Sequence, residues 1–200
     1  LTMRTFHIGG AASASVEQSS ASSPIDGKIS VENLKYIKDQ NDNKILLTRN
    51  AKVKILSNNE EKFSLNIPFG SRILIDNNDN VKANQLIADW DPYTLPIIAE
   101  KNGVVKFVDL KQGISFRDAV DDTTGISSKI VIDWSQNPKS KNFKPAINVQ
   151  DSLDVEDLDA DAFVNYPMSI DTILSIEDDQ KVYAGQVLAR IPKESSKTKD

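Results

Sequence analysis

The sequence contains no cysteine and only one histidine, His7. Without cysteine, the chain has no disulfide, no thiolate nucleophile and no zinc site with sulfur ligands. No apolar run approaches the roughly 20 residues that cross a bilayer. The first residues also lack the basic and apolar regions of a signal peptide. These absences predict a cytoplasmic protein that makes no contact with a membrane.

An excess of basic residues is also missing. The chain has 24 Lys and Arg residues against 29 Asp and Glu, which gives a net charge of −5. Proteins that bind nucleic acid through its phosphates usually carry excess positive charge, because counterion release supplies their affinity. Most of the chain is therefore not expected to bind nucleic acid directly. Because the sequence begins with Leu1 rather than Met, we also expect it to be a fragment of a longer protein.

Short aliphatic and β-branched runs, separated by polar turns, fill the chain after Pro24. Such runs predict many short strands, and their number favours a sandwich or a barrel. One helix is expected at 155–163. The predicted strands are 28–31, 44–48, 51–56, 63–67, 72–75, 85–88, 96–99, 104–108, 129–134, 146–149, 172–176 and 186–191.

An internal repeat organises these strands. The pattern V-x-A-x-Q-L-I-A at 81–88 recurs as V-x-A-x-Q-V-L-A at 182–189. Two shorter matches accompany it, namely Asn66-Ile67-Pro68 with Asn165-Tyr166-Pro167 and Ile73-Leu74 with Ile173-Leu174. The repeat predicts two tandem β lobes. We place a Ser-rich linker at 17–24, the first lobe at 25–120 and the second lobe at 121–191.

The first ten residues carry a different signal. His7 follows Arg4 by three residues and Met3 by four, so a helix over 2–7 would place the three side chains on one face. That face would combine an apolar contact, a fixed cation and a titratable group, which suits a nucleotide. Gly9-Gly10 would then end the helix and act as a hinge.

These ten residues, Leu-Thr-Met-Arg-Thr-Phe-His-Ile-Gly-Gly, resemble the trigger loop of the bacterial RNA polymerase β′ family. The residues at 189–200 resemble the segment that re-enters the same loop, and Ala88-Asp89-Trp90-Asp91-Pro92 adds a third match. The resemblance implies that 1–16 are the first half of the loop and that 192–200 are its return. The residues between them are then a lineage-specific insertion. The expected fold is mainly β, with two sandwich-barrel hybrid lobes after a short helical or flexible segment.

The resemblance also implies a function, which is DNA-templated RNA synthesis by a nucleotidyltransferase. His7 and Arg4 are the catalytic candidates, since both would meet the triphosphate of the incoming nucleotide. Met3 and Arg4 would bind the substrate, with Met3 against the base. We expect no metal ligand in this chain, because the Mg²⁺ of the full enzyme is held elsewhere, and we expect the fragment alone to be inactive.

The implied partners are the rest of β′ together with the β, α and ω subunits, the DNA template, the nascent RNA and the nucleoside triphosphate. The insertion is expected to modulate elongation and pausing, because it interrupts a moving element. Two alternatives stay open. The chain could be a stand-alone two-lobed module for a protein or sugar partner. A carrier domain is disfavoured, because neither Met168 nor Lys181 forms the lysine motif that carriers present.

Two further features have ordinary explanations. The alternating Asp157, Asp159 and Asp161 hint at a calcium loop, but the glycine and the bidentate glutamate of such a loop are missing. We therefore interpret them as a solvated acidic surface. Trp90 and Trp134 lie at strand ends, where we expect core or lobe-contact residues rather than a ligand platform.

Overall fold

A computed structural model describes residues 18–32, 34–120, 122–150 and 163–193. Within these ranges the regular structure consists of β-strands, without a helix. The expected helix at the N-terminus lies outside the described residues, as do 155–162 of the second expected helix. Phe163, the last residue of that second helix, instead begins a strand. Nowhere in these ranges is there a helix with the length and apolar character needed to span a membrane.

Eighteen strands follow one another along the described chain, nine in each half. The first nine are β1 (Ser20–Ser22), β2 (Gly27–Val31), β3 (Tyr36–Lys38), β4 (Lys44–Leu46), β5 (Ala51–Ser57), β6 (Glu60–Ile67), β7 (Arg72–Ile73), β8 (Asn80–Val81) and β9 (Leu86–Asp89). The second nine are β10 (Thr94–Ile98), β11 (Gly103–Val108), β12 (Phe116–Val120), β13 (Ser127–Val131), β14 (Ala146–Gln150), β15 (Phe163–Pro167), β16 (Ile173–Leu174), β17 (Lys181–Val182) and β18 (Val187–Pro192).

The two halves share one topology. The first half forms a sheet of order β1-β9-β7-β4-β3 and a second sheet of order β6-β5-β2-β8. The second half forms β10-β18-β16-β13-β12 and β15-β14-β11-β17. Each strand of the second half thus occupies the place of the strand nine numbers before it. We call the two halves, β1–β9 and β10–β18, the first and the second lobe; their strand orders are the same.

Equivalent hydrogen bonds within each lobe show which residues of the two lobes correspond. The Ile29 amide donates to the Asp79 carbonyl at 2.8 Å, and the Ile29 carbonyl accepts from the Asn78 amide at 2.9 Å. The Val105 amide donates to the Gln180 carbonyl, and its carbonyl accepts from the Asp179 amide, both at 2.9 Å. Asn78 and Asp179 both have a positive φ, at 70° and 65°. Asn and Asp tolerate this left-handed conformation better than most residues, so both copies turn in the same way.

The structure corrects part of the sequence match. Ile73 pairs with Ala88 and Leu174 pairs with Ala189, so Ile73 corresponds to Leu174 rather than to Ile173. Pro68 likewise corresponds to Ser169 and not to Pro167. The Pro68 carbonyl accepts a hydrogen bond from the Ser71 amide, and the Ser169 carbonyl accepts the equivalent bond from the Thr172 amide. Matching identical letters gave a slipped register here. A slip of one residue would turn every inward side chain outward, which the buried face does not permit.

Each lobe has its own hydrophobic core. The first core consists of buried residues between Ala21 and Ala88, with Ile87 fully buried. The second consists of buried residues between Ala99 and Ala189, with Leu188 fully buried at the position equivalent to Ile87. Apolar burial of this kind is the main favourable contribution to folding.

The lobes divide at a different place from the one expected. A boundary at 120–121 falls inside the hairpin of β12 and β13, whose five residue pairs form one ladder. Strand pairing therefore places the change of lobe at 90–93. Asp122, Thr123, Thr124 and Gly125 lie between these two strands, within the turn of the hairpin.

The interval 17–24, expected to be a linker, also differs from the structure. Ser20–Ser22 form β1, which pairs with β9. Ala21 is 3% exposed and belongs to the first core, while the Ser23 hydroxyl donates to the Ile25 carbonyl at 2.6 Å. Small side chains fit this crowded edge, and their weak hydrophobic signal hides the strand in the sequence.

Two glycines lie where the lobes meet. A Cβ at Gly70 in the first lobe would overlap the ring of Pro96 in β10. A Cβ at Gly185 in the second lobe would lie 2.9 Å from Cβ of Asp39 in the first. Both glycines have a positive φ, at 82° and 86°. They therefore permit both the turn and the close approach of the neighbouring lobe.

Candidate functional site

The described chain begins and ends at the segment that joins the two lobes. The Trp90 amide donates to the Ser19 carbonyl at 2.9 Å, just before β1. The Lys193 amide donates to the Tyr93 carbonyl at 3.0 Å, just after β18. The two ends of the described chain, at Ser19 and Lys193, therefore both bind this joining segment. We call this place the root, defined by Ser19, the segment 90–94, Arg190 and Lys193.

Asp91 is the centre of the root. One carboxylate oxygen accepts the Tyr93 amide at 2.9 Å, and the other accepts the Thr94 hydroxyl. Arg190 of β18 places its Nη1 atom 3.3 Å from that second oxygen and 3.5 Å from the Thr94 hydroxyl. One carboxylate thus ties the joining segment to the last strand of the second lobe.

The electrostatics of Asp91 reflect two opposed effects. Partial burial raises the pKa of its carboxyl group. The hydrogen bonds from Thr94 and Tyr93, together with the attraction of Arg190, outweigh burial and hold the pKa below its ordinary value of 3.8. Asp91 is therefore ionised at neutral pH, as a partner for the guanidinium must be.

This lowered pKa gives a testable acid dependence. Because the folded pKa lies below the unfolded one, the stabilisation from Asp91 is complete above about 3.8 and is lost as the pH falls through the lowered value. We expect hydrogen exchange of the Tyr93 amide, corrected for its intrinsic rate, to quicken in acid. In Asp91→Ala the exchange should be several-fold faster already at neutral pH. Asp122→Ala, at an exposed turn, is the matched control, and equal exchange in all three chains would contradict this role.

A second ion pair supports the first lobe beside the root. The Arg72 Nε atom donates to Asp89 Oδ1 at 2.9 Å, and Arg72 Nη2 contacts the other oxygen. This two-point geometry matches the planar guanidinium to the carboxylate. The hydrogen bond to Asp89 raises the pKa of Arg72 above its ordinary value. The pair is part of the wall of a cleft of about 480 Å³, which Trp90 and Arg190 also line.

A larger cleft of about 770 Å³ lies between the lobes next to the root. Leu95, Ile97 and Tyr166 are among its lining residues. The Tyr166 hydroxyl accepts the Glu100 amide at 3.1 Å, and burial is the main effect that raises its pKa.

The residues predicted to carry chemistry are not among those described. Met3, Arg4, His7, Gly9 and Gly10 precede residue 18. The acidic residues at 157, 159 and 161 also lie outside the described ranges. Within those ranges no group of three or more His, Cys, Asp or Glu side chains could hold a metal ion. The predicted catalytic, binding and hinge roles therefore stay predictions.

Other predicted residues have definite places. Trp90 packs against the first core and Trp134 against the second. Met168 is 4% exposed and belongs to the second core. Lys181 lies in β17 with its ammonium 5.7 Å from the Tyr183 ring centre. Neither Met168 nor Lys181 lies at the tip of a hairpin, which is where a carrier presents its lysine.

Sequence reasoning missed the roles of Asp91 and Arg190. Arg190 occupies the position in β18 that Asp89 occupies in β9. Arg190 pairs with Ile173 of β16, and Asp89 pairs with Arg72 of the equivalent strand β7. The first copy carries an acid there and the second a base. This reversal of charge within an otherwise matching repeat is the signal that could have identified the root.

The fold and the root together define a class of protein, a mainly β module with a repeated strand order whose described ends meet at one joining segment. Such a module can interrupt another structural element without separating the residues on either side. Comparison with known proteins then identifies the family. Relatives from Ehrlichia ruminantium (strain Gardel), Ehrlichia chaffeensis and Rickettsia prowazekii are 41%, 40% and 42% identical over 202 aligned residues.

All three relatives are named DNA-directed RNA polymerase subunit β′. Each alignment includes 100% of this chain but only 14 to 15% of the relative. The chain therefore belongs to the DNA-directed RNA polymerase β′ family and spans about one seventh of the length of these relatives. No family model matches the chain.

Proposed function

We propose that this chain is the trigger-loop region of an RNA polymerase β′ subunit, interrupted by a two-lobed β insertion. In this proposal 1–16 are the first half of the loop and 192–200 are its return. The observation that carries the proposal is the root, where Ser19 and Lys193 bind the same joining segment. A helical hairpin can carry a large insertion only if both connections return to one place, and the root satisfies this requirement.

The catalytic role proposed for the first residues is closure over the incoming nucleotide. Met3 would pack on the base, Arg4 would bind phosphate oxygens, and His7 would stabilise charge on the departing pyrophosphate. Gly9-Gly10 would permit the loop to fold and unfold. Closure would exclude water and complete the site only around a matched nucleotide.

The proposed setting is a nucleotidyltransferase that copies DNA into RNA in the cytoplasm. Its other components would be the rest of β′, the β, α and ω subunits, the template, the transcript and the nucleoside triphosphate. Magnesium would supply charge neutralisation at the phosphates. The described residues of this chain do not form a site that fits it. We propose that its ligands lie elsewhere in the subunit and that the fragment alone is inactive.

Each lobe is proposed to be a sandwich-barrel hybrid motif. In both, a five-stranded and a four-stranded antiparallel sheet share one core, and the chain passes repeatedly between the two sheets. This alternation gives the short strands and close turns that a partly closed barrel requires. We propose that the lobes extend from β1 to β9 and from β10 to β18.

The insertion is proposed to modulate elongation and pausing. Both ends of the described part of the insertion lie at the root, and Asp91 and Arg190 fix the joining segment to β18. Folding of the trigger loop would therefore have to move both lobes or pull against them. Any contact that holds the lobes would then bias the loop between its open and closed states.

The test is a complete polymerase in which a short Gly-Ser segment replaces 19–192. Because the two connections meet at the root, this replacement should not separate the two halves of the loop. We expect pause lifetimes to change by about 5-fold or more, the lower range of coupling between linked sites. Single-molecule elongation measures them. A substitution at the exposed turn, Asp122→Ala, is the control, and unchanged pausing and speed after the deletion would refute the proposal.

A further inference from the structure

We propose that a basic surface on the second lobe binds the phosphate backbone of duplex nucleic acid. We call it the lysine loop and define it as residues 132–145 together with Lys111. This proposal rests on the proposed function only for the identity of the nucleic acid, which in a polymerase is DNA. The overall charge of −5 gives no indication of this surface, which becomes visible only when the two lobes are compared.

The lysine loop is an addition to the duplicated fold. In the first lobe, β4 connects to β5 through only four residues, 47–50. In the second lobe, the equivalent connection from β13 to β14 covers 132–145. The longer connection contains Lys139, Lys141 and Lys144, whereas the shorter contains one basic residue, Arg49. The repeated topology does not require these extra residues, since the first lobe closes without them.

Hydrogen bonds within the loop, and contacts with Asp109 and the second core, order the loop. Ser140 is 1% exposed, and its hydroxyl donates to the Trp134 carbonyl at 2.7 Å. The Phe143 amide donates to the Ser140 carbonyl at 2.9 Å, and the Lys144 amide donates to Asp109 Oδ2 at 3.0 Å. Trp134 packs against the second core. A loop ordered in this way loses little further conformational entropy when it binds a partner.

The lysine side chains project from this ordered loop. Lys111, Lys139, Lys141 and Lys144 are all exposed, and within the described ranges none of them forms an ion pair. Lys111 contributes to the surface because its ammonium lies 5.4 Å from the centre of the Phe143 ring.

Two acidic residues form hydrogen bonds with the lysine loop. The hydrogen bonds of the loop involve Asp109 and Asp133. The Asp133 carboxylate accepts hydrogen bonds from the Ser135 hydroxyl and the Gln136 side-chain amide. The bond from Ser135 is the main cause that lowers the pKa of Asp133. The four lysines of the loop outnumber these two carboxylates. By contrast, Lys54 and Lys62 on the β5–β6 hairpin of the first lobe are paired with Glu61 and Glu60.

The chemistry of this surface favours a duplex over a single strand or a protein. Trp134 and Phe143 are half-buried, so the described loop presents no exposed ring on which an unpaired base could stack. It also contains no arginine for two-point recognition of carboxylates. Lysines act as point charges, which suits the closely spaced phosphates of a duplex and reads no sequence.

The experiment measures binding of an assembled core polymerase to a blunt DNA duplex of arbitrary sequence at several salt concentrations. The variant combines Lys139→Ala, Lys141→Ala and Lys144→Ala. We expect weaker binding to the duplex. The slope of log affinity against log salt should also become less steep, by roughly 0.9 for each phosphate that the variant no longer neutralises. The control combines Lys28→Ala, Lys52→Ala and Lys82→Ala, which removes the same charge from exposed positions of the first lobe. This control should keep the wild-type slope.

Three outcomes would overturn the inference. The first is a salt slope in the loop variant equal to that of the wild type. The second is an equal change of slope in the loop variant and in the control. The third is a loop variant that loses a protein subunit of the polymerase but still binds DNA normally. The last would indicate an acidic protein as the partner. The assay requires no catalysis, so its failure is distinct from failure of the proposed trigger-loop function, which nucleotide addition and pausing report.

Discussion

A polymerase with His7→Ala should add matched nucleotides about 100-fold more slowly than the wild type, while its affinity for DNA stays the same. The imidazole is proposed to stabilise the charge that forms on pyrophosphate as the bond to the α-phosphorus breaks. A positioned group of this kind contributes about 100-fold or more to rate when water is excluded. Rapid-quench measurement of single-nucleotide addition at saturating substrate gives the rate directly.

Two further variants make this prediction specific. His7→Gln keeps a hydrogen-bond donor but cannot become a cation, so it should recover part of the rate if His7 mainly positions a phosphate. Thr5→Ala is the matched control, because position 5 is not on the face that residues 3, 4 and 7 would share. An addition rate in His7→Ala equal to that of the wild type would rule out the role. A slow rate accompanied by weaker DNA binding would indicate damage to the assembly instead.

The sequence predicted most of the longer strands but missed β1, β3, β8, β12, β15 and β17, although β3, β12 and β15 contain aromatic residues. Strands β5 and β11 lie close to the predicted 51–56 and 104–108. Strands β8 and β17 contain only two residues each and exist because β2 and β11 pair with them. No local pattern marks so short a strand. The mainly β class and the duplication were therefore predictable, while the exact edges of the sheets depended on partners far away in sequence.

The root shows a different limit of sequence reasoning. The stretch from Ala88 to Pro92 was recognised as a family match, but Arg190 lies about a hundred residues further along the chain. Only the pairing of β10 with β18 brings Arg190 beside Asp91. The candidate site thus combines a local signal with a contact set by topology. The proposed catalytic residues show the reverse case, because their motif is continuous and needs no tertiary structure to be noticed.

Because each lobe has its own core, we expect a core truncation to destabilise mainly the lobe that contains it. Ile87 and Leu188 are fully buried at equivalent positions of β9 and β18, each within its own core. Truncation of either to alanine removes packing and leaves a cavity, which costs about 2–5 kcal/mol. Because the two cores share no residue, Ile87→Ala should destabilise the first lobe and Leu188→Ala the second. Hydrogen exchange of the chain, resolved by segment, would measure the free energy of opening in each lobe.

The neighbour in the same strand provides the control. Leu86 points away from the core and is 36% exposed, so Leu86→Ala should change stability by only about 0.5 kcal/mol. The lobes touch through Gly70 with Pro96 and Gly185 with Asp39, contacts that position them without merging their cores. Local destabilisation should therefore stay local, as it does for separate cooperative units. If Ile87→Ala lowered protection equally in both lobes, the two would unfold as one unit, and the root would transmit stability as well as motion.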